Sequence, residues 1–192
     1  MKTIILIGSR NHEGKTARAV AALAEGLAEG KAEVETVFLT EKNIERCRQT
    51  DRDGWGTCIK QGSCEIKDDF PALVGELRQA DLFVFATPVY WGDLSESMRA
   101  FLDRLRRTCI HDNGKKGIAG KPAIGICVAG GGGGGSPRCV DALQHVLGHC
   151  GIDVFDVVPA RRQNLDLKLV VLRETGRWLA ANPAVWGNQG GK

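Results

Sequence analysis

The chain has 192 residues, of which 43% are hydrophobic and 26% are charged, and its composition is that of an ordinary globular protein. This length predicts one domain with a sizeable buried core. The formal net charge of +3 argues against a nucleic-acid-binding protein, and no apolar run in the sequence is long enough to predict a membrane protein. Two basic clusters, at 103–107 and 160–164, are predicted to be solvated surface.

Five short apolar or β-branched segments alternate with five helical patterns. The predicted strands are 3–8, 33–39, 82–87, 123–130 and 153–159, and the predicted helices are 16–28, 68–80, 94–107, 136–150 and 165–181. This alternation predicts an α/β fold with a parallel sheet covered on both faces. Five units favour a flavodoxin-like three-layer α/β/α sandwich with strand order 2-1-3-4-5. The second strand carries charges at alternate positions, which suits a sheet edge.

Ligands of such sheets bind beyond the carboxyl ends of the strands, at the switch point between strands 1 and 3. The loops that follow strands 1, 3 and 4 read GSRNHEGKT, TPVYWGD and AGGGGGGSP. All three are rich in residues that bring backbone donors, hydroxyl groups or flat rings to a ligand. We therefore expect these three loops to form one binding site.

The first loop resembles a Walker A motif, but Ser9 stands where that motif needs its first glycine. The hydroxyls of Ser9 and Thr16, the amides of residues 10–15 and the cations Arg10 and Lys15 predict that a phosphate binds at the helix N-terminus. An ordinary strand-to-helix turn is the alternative. Strands 3 and 4 end without an acidic residue that would hold Mg²⁺, which argues against a P-loop phosphotransferase.

The other two loops have the composition of a surface against a planar ligand. Tyr90 and Trp91, flanked by Pro88 and Gly92, predict a wall against a heterocycle, and packing against a neighbouring subunit is the alternative. Six consecutive glycines, 130–135, follow a buried strand and predict backbone that lies flat against the same ligand. A mobile loop is the alternative reading of these glycines.

Together the first loop, the segment ADLFVFATPVYWGDLSESMRAFLDRL and the glycine run resemble the NAD(P)H-dependent FMN reductase and iron-sulfur flavoprotein branch of the flavodoxin-like superfamily. The resemblance extends from residue 2 to about residue 164. It implies one FMN-binding domain, residues 1–192, that passes electrons from NAD(P)H to a small-molecule acceptor such as a quinone, a free flavin or another small electrophile. It further implies a homodimer or homotetramer. The cysteine usage, the small net charge and the short apolar runs predict a cytoplasmic protein without nucleic-acid or membrane partners. A flavodoxin-like or iron-sulfur flavoprotein electron carrier is the alternative function.

The resemblance also implies which residues contact FMN. The implied set is Ser9, Arg10, Asn11, Gly14, Lys15 and Thr16 in the phosphate loop, Pro88, Val89, Tyr90, Trp91 and Gly92 along the flavin ring, and Ala129, Gly130, Gly131 and Gly132 facing the ring. No catalytic side chain is predicted, because the cofactor carries out the redox chemistry. Arg161 and Arg162 are candidates to meet a 2′-phosphate of NADPH, although nothing in the sequence requires it.

The seven cysteines are an odd number, which favours a reducing compartment over a disulfide framework. Cys47, Cys58 and Cys64 share one irregular segment, which we interpret as a lid or insertion at about 41–68. Iron-sulfur members of the family are similar there but carry about four cysteines, the first three closely spaced. The wide spacing and the missing fourth thiolate favour a segment without metal, and an iron-sulfur cluster or a zinc ion remains the alternative. Its Trp55 is expected to cover the flavin or to contact a partner subunit.

Overall fold

The computed structural model describes residues 1–186, which form one parallel sheet of five strands in the order β2-β1-β3-β4-β5. The strands are β1 (Lys2–Ile7), β2 (Glu33–Phe38), β3 (Leu82–Pro88), β4 (Pro122–Ala129) and β5 (Asp153–Arg161). The helices are α1 (Lys15–Glu29), α2 (Gly56–Gln61), α3 (Phe70–Gln79), α4 (Glu96–Thr108), α5 (Asp112–Lys115), α6 (Ser136–His149), α7 (Leu165–Ala181) and α8 (Pro183–Trp186). The predicted flavodoxin-like strand order is confirmed. Residues 187–192 of the predicted 1–192 domain lie outside the described residues.

Two helical layers cover the two faces of the sheet. Ile4 and Leu6 of β1 pack into the core formed with α3, α4 and α6, whereas Ile5 and Ile7 pack into the core formed with α1 and α7. This division follows from the two-residue period of a strand, which sends successive side chains to opposite faces. Because both faces are covered, β3 and β4 are buried along their whole length, as their apolar runs predicted.

The α1 and α7 helices touch through backbone. A Cβ added to Gly26 would lie 2.0 Å from the Arg173 carbonyl oxygen, and one added to Gly176 would lie 2.3 Å from the Leu23 carbonyl oxygen. At the end of this contact, Glu29 accepts hydrogen bonds from the Arg177 and Arg173 side chains, which lower the pKa of Glu29 to about 2. The helix pair therefore forms a tightly packed support beneath one face of the sheet.

The structure differs from the sequence-based prediction in short elements and at the end of one strand. The helices α2, α5 and α8 have four to six residues, too few to show a helical period. Strand β5 continues to Arg161 because it stays paired with β4 up to Ala129. The predicted edge position of β2 is confirmed. No helix among residues 1–186 combines the length and apolar character that a membrane crossing needs.

Candidate functional site

The loops that follow β1, β3 and β4 meet at the carboxyl edge of the sheet. The Gly8 amide donates to a β3 carbonyl at 2.8 Å, and the Val89 amide donates to a β4 carbonyl at 2.9 Å. A Cβ added to Gly135 would lie 2.6 Å from the Gly92 Cα, so the second and third loops touch through backbone. The three loops that the sequence singled out therefore form one continuous surface.

The β1–α1 loop is held in shape by its own polar groups. Asn11 Oδ1 accepts the Glu13 amide at 2.9 Å, and the Asn11 carbonyl accepts the Gly14 amide at 3.2 Å. Helix α1 begins after Gly14 with no capping side chain and with no acidic residue in its first turn. Its first amides and its dipole therefore present an uncompensated positive field to an anion.

The side chains around this helix N-terminus have the predicted chemistry. Ser9 and Thr16 are buried at the base of the loop, Lys15 is half-buried, and Arg10 is exposed. Two hydroxyl residues and two cations thus flank the first turn of α1. Two side chains also bond within the loop itself, since Asn11 Oδ1 accepts the Glu13 amide and Ser9 Oγ accepts the Asn11 amide at 3.4 Å. This set of donors suits a phosphate group.

A hydroxyl network that the sequence reading missed supports the loops from below. Ser97 Oγ donates to the Gly8 carbonyl at 3.2 Å, and the Ser95 amide donates to Thr87 Oγ1 at 3.0 Å. Ser95 Oγ also accepts the Met98 amide at 3.4 Å and so caps α4. The N-terminus of α4 consequently fixes the ends of β1 and β3 relative to each other. The hydroxyl residue directly before the apolar pattern of α4 was the available sequence indication of this cap.

The β3–α4 loop is a tight four-residue turn. Tyr90 and Asp93 exchange two backbone hydrogen bonds, at 3.0 and 2.9 Å. Trp91 and Gly92 at the tip have φ angles of 52° and 81°, as in a type I′ turn. The Trp91 side chain is fully exposed, and Tyr90 is 46% exposed. A bulky residue held in the left-handed region and left uncovered indicates a functional constraint on this turn.

Four glycines of the β4–α6 loop border open space, namely Gly134 and the consecutive Gly130, Gly131 and Gly132. A Cβ added to Gly130, Gly131 or Gly132 would meet nothing within 4 Å, and none of the three has a positive φ. Gly133 differs, since its φ is 81° and the Arg161 side chain lies 2.4 Å from the position of its Cβ. The chain's own packing therefore does not require glycine at the first three positions. A flat ring lying against this backbone would require it, because a side chain there would occupy the same space. This open row leaves room for a planar ligand.

The segment 41–68 is fastened to α4 by a buried ion pair. Arg104, which is 1% exposed, donates to both carboxylate oxygens of the fully buried Asp68, and also to the Glu45 carbonyl at 3.1 Å. Its guanidinium lies 4.2 Å above the Phe70 ring and contacts Cys64 Sγ at 3.3 Å. The prediction that 103–107 is solvated is thus wrong for Arg104. The guanidinium is buried because folding supplies acceptors for it.

Glu41, at the start of this segment, pairs with His12 of the β1–α1 loop at 2.6 Å, but Trp55 lies away from the three loops. Trp55 packs over the Arg107 guanidinium at 4.3 Å, near the C-terminus of α4. Ser95 and Arg107 are separated by about 18 Å along the helix at 1.5 Å per residue. Trp55 therefore makes no contact with the loop surface in the protomer. Its contact with a partner subunit, and the role of the segment as a lid, stay predictions.

The three cysteines of the segment, Cys47, Cys58 and Cys64, line one cavity of about 20 Å³. Among residues 1–186 no three His, Cys, Asp or Glu side chains are grouped so that they would hold a metal ion. Cys64 lies against the Arg104 guanidinium, and Cys58 Sγ contacts the Trp55 carbonyl. With three thiols and these neighbours, the residues do not fit a cubane cluster, which takes four thiolates.

Comparisons with known proteins identify the family of the chain. The family model described as NADPH-dependent FMN reductase matches residues 1–163. An iron-sulfur flavoprotein of Methanocaldococcus jannaschii is 30% identical over 131 residues, which are 68% of this chain and 65% of that protein. An iron-sulfur flavoprotein of Archaeoglobus fulgidus is 30% identical over 105 residues, which are 55% of this chain and 46% of that protein. The chain thus spans less than two thirds of the length of these two relatives.

A solved structure extends the comparison to the fold. The NAD(P)H:quinone oxidoreductase from Methanothermobacter marburgensis superposes with a TM-score of 0.71 and 18% sequence identity, covering 93% of this chain and 96% of that chain. At this identity the likeness shows the shared architecture. Because the sequence match to the family model includes all five strands and the three loops at their carboxyl ends, the chain belongs to the NADPH-dependent FMN reductase family.

Proposed function

We propose that the protein is an FMN-dependent oxidoreductase that passes electrons from NAD(P)H to a small acceptor such as a quinone, a free flavin or another small electrophile. One observation carries the proposal, namely that the open row Gly130–Gly132 and the loop at the N-terminus of α1 lie at the same edge of the sheet, on either side of the loop after β3. The row accepts a planar ring, and the loop accepts a phosphate. Family membership and the fold support the same ligand. When bound, FMN supplies a ring that accepts a hydride and passes electrons on.

The residues of the chain bind and orient in this proposal. Ser9, Arg10, Lys15 and Thr16 hold the phosphate of FMN with hydroxyl groups and positive charge at the N-terminus of α1. The turn at Tyr90 and the open glycines hold the two sides of the ring. No side chain at the site is required to act as an acid or base, because hydride transfer to a flavin needs only correct placement of the two rings.

Reconstitution with FMN followed by anaerobic reduction tests the function. We expect the purified protein to bind FMN and the bound flavin to bleach when NADPH or NADH is added. A preparation that stays colourless after FMN addition would refute FMN binding. A flavin that binds but stays oxidised with both nucleotides would exclude the reductase and leave the electron carrier. That carrier is less favoured, because the chain has a positive net charge and its cysteines do not fit a cluster.

A matched pair of glycine substitutions tests the position of the ring. Gly131→Val places a side chain in the open row, whereas Gly148→Val places one in equally open space at the far end of α6. We expect neither variant to disturb the apo fold by more than about 0.5 kcal/mol, as is usual for surface changes. Gly131→Val should raise the Kd for FMN at least about tenfold, a loss of about 1.4 kcal/mol, and Gly148→Val should leave it unchanged. Equal FMN affinity in the two variants would place the ring elsewhere.

An oligomer is part of the proposal. The outer face of α7 exposes Leu167, Val170, Val171 and Trp178, and Trp178 stacks on the exposed Phe155 with ring centroids 5.8 Å apart. An apolar patch of this kind on a soluble chain supports self-association into a homodimer or homotetramer. Light scattering should show an oligomer that Val170→Glu converts to a monomer. A wild-type monomer at micromolar concentration would refute the proposed assembly.

The cysteines of residues 1–186 are all free thiols, which supports a cytoplasmic location.

A further inference from the structure

A second cleft opens beside the flavin site, between the β4–α6 loop and the end of β5. It has a volume of about 720 Å³ and is lined on one side by Gly132 and Ser136 and on the other by Arg161, Gln163 and Lys168. Two of its lining residues are cationic and none is acidic. We call it the β5 cleft. Its size is that of a site for a small organic ligand, and its charge selects an anion.

Ser136 indicates that the β5 cleft is built for a ligand. The residue is 2% exposed, and its Oγ has no hydrogen-bond partner among residues 1–186. Its own amide is already bonded to the Gly133 carbonyl at 3.1 Å, and α6 begins there without a capping side chain. A buried hydroxyl without a partner lowers stability, and such groups are rare in native structures. A turn of the Ser136 side chain toward the cleft would let a ligand oxygen supply the missing partner at the positive end of a 14-residue helix.

The two cations of the cleft are free to meet this ligand. Within the described part of the chain neither Arg161 nor Lys168 forms an ion pair. Asp166, two positions before Lys168, pairs instead with Arg18 at 3.2 Å. The backbone of Arg161 is fixed, since its amide donates to Asn164 Oδ1 at 2.7 Å. Its side-chain stem packs against Gly133. Arg161 therefore lines the cleft with a guanidinium that can bind an anion. Arg162, the second arginine that the sequence proposed, does not line the cleft.

We propose that the β5 cleft binds a phosphate group of the pyridine nucleotide, so that the nicotinamide reaches the flavin while the adenylate end lies over β5. This rests on the proposed function, because it assigns the donor to that site. The link is Gly132, which belongs both to the open glycine row and to the wall of the cleft. One dinucleotide can thus span both regions. The phosphate is either the 2′-phosphate of NADPH or the 5′-phosphate that NADH and NADPH share.

Redox-inert fragments test the cleft without any hydride transfer. The binding of 2′,5′-ADP and of 5′-ADP to the FMN-loaded protein is measured by isothermal titration calorimetry at low and high salt. We expect at least one fragment to bind, more weakly at high salt because the contact is ionic. Preference for 2′,5′-ADP identifies the 2′-phosphate, and equal binding identifies the shared 5′-phosphate. If neither fragment binds, the inference is wrong even where NADPH bleaches the flavin. If a fragment binds and the flavin stays oxidised, the proposed function fails while the cleft stands.

Substitutions distinguish a binding role from a structural one. Ser136→Ala and Lys168→Gln should each raise the Kd of the bound fragment about tenfold, the usual loss for one hydrogen bond to a charged group. Ser136→Ala should leave the melting temperature of the fragment-free protein unchanged or higher, because an unpaired buried hydroxyl is removed. Arg162→Gln is the matched control and should bind the fragment as the wild type does. A lower melting temperature of Ser136→Ala together with unchanged fragment binding would make the hydroxyl structural and overturn the inference.

Discussion

Replacing Asp68 with alanine should remove the ion pair that holds the segment 41–68 against α4. The fully buried Asp68 carboxylate accepts two hydrogen bonds from Arg104, one from the Glu45 amide at 2.8 Å and one from the Phe70 amide at 3.1 Å. In the variant the Arg104 guanidinium stays buried with the Glu45 carbonyl, Cys64 Sγ and the face of the Phe70 ring as its partners, and none of them is a carboxylate. The variant therefore contains a buried and uncompensated positive charge.

Such a charge is among the most destabilising changes a single substitution makes. Removing one partner of a buried ion pair typically costs about 3–5 kcal/mol. The free energy of unfolding of a domain is typically about 5–15 kcal/mol, so the loss should be a large fraction of the total. Arg104→Met removes the other charge and leaves the Asp68 carboxylate with its two backbone amides. The double variant should then be more stable than the sum of the two single losses predicts, by about 2 kcal/mol.

Urea unfolding followed by circular dichroism measures these differences. Asp103→Ala is the matched control, because it breaks the exposed Asp103–Arg106 pair of the same helix, 3.1 Å long, and should cost less than about 1 kcal/mol. A loss below about 1 kcal/mol for Asp68→Ala, or strict additivity of Asp68→Ala and Arg104→Met, would refute the claim that this pair holds the segment.

The pH dependence of the same variant gives an independent check. Burial raises the pKa of Asp68, but hydrogen bonds from Arg104 and from two backbone amides outweigh burial and hold the pKa below its usual 3.8. A carboxyl whose pKa is lower in the folded state stabilises the fold fully above the unfolded pKa and loses this effect as the pH falls through the folded pKa. The stability difference between the wild type and Asp68→Ala should therefore be constant above about pH 5 and shrink below pH 3.8.

Three further predictions concern the flavin site and the helix support. Thr16→Val should raise the Kd for FMN about tenfold in a fluorescence titration, since it removes one hydroxyl from the phosphate loop, and an unchanged Kd would exclude that contact. Gly176→Ala should cost at least about 1–3 kcal/mol in urea unfolding because its Cβ would lie 2.3 Å from the Leu23 carbonyl, whereas Gly148→Ala in open space should not destabilise. Glu29→Gln should lower stability at neutral pH, and the difference should vanish as the pH falls from 4.5 to about 2, which acid titration of both proteins would check.

The fold was predictable because its information is local. Strands β1, β3 and β4 are buried on both faces, so they appear as uninterrupted apolar runs, and the helices between them have clear apolar stripes. Alternation of the two patterns leaves few topologies for a parallel sheet. The loops of the site were predictable for the same reason, since the carboxyl ends of parallel strands lie at one edge.

The contacts of the segment 41–68 were not predictable, because they join residues far apart in the chain. Arg104 stands in the run DRLRR, which resembles a solvated face, and its partner Asp68 is 36 positions away. Nothing in the local pattern shows that Arg104 of this run contacts the Asp68 carboxylate, the Glu45 carbonyl and the Phe70 ring. The β5 cleft was missed similarly, since Ser136 and Lys168 belong to different helices.

The glycine run shows where the sequence and the structure must be combined. In the sequence the six glycines are equivalent, but in the structure they serve three purposes. Gly133 adopts a positive φ, Gly135 lets the backbone of Gly92 approach, and Gly130–Gly132 and Gly134 meet nothing. A glycine increases the entropy of the unfolded chain and so lowers stability relative to a residue with a side chain. At Gly133 the positive φ offsets this loss of stability, and at Gly135 the close backbone contact with Gly92 does. At Gly130–Gly132 and Gly134 nothing in the folded chain does so, and a ligand lying against the bare backbone is the reason that we propose for the first three.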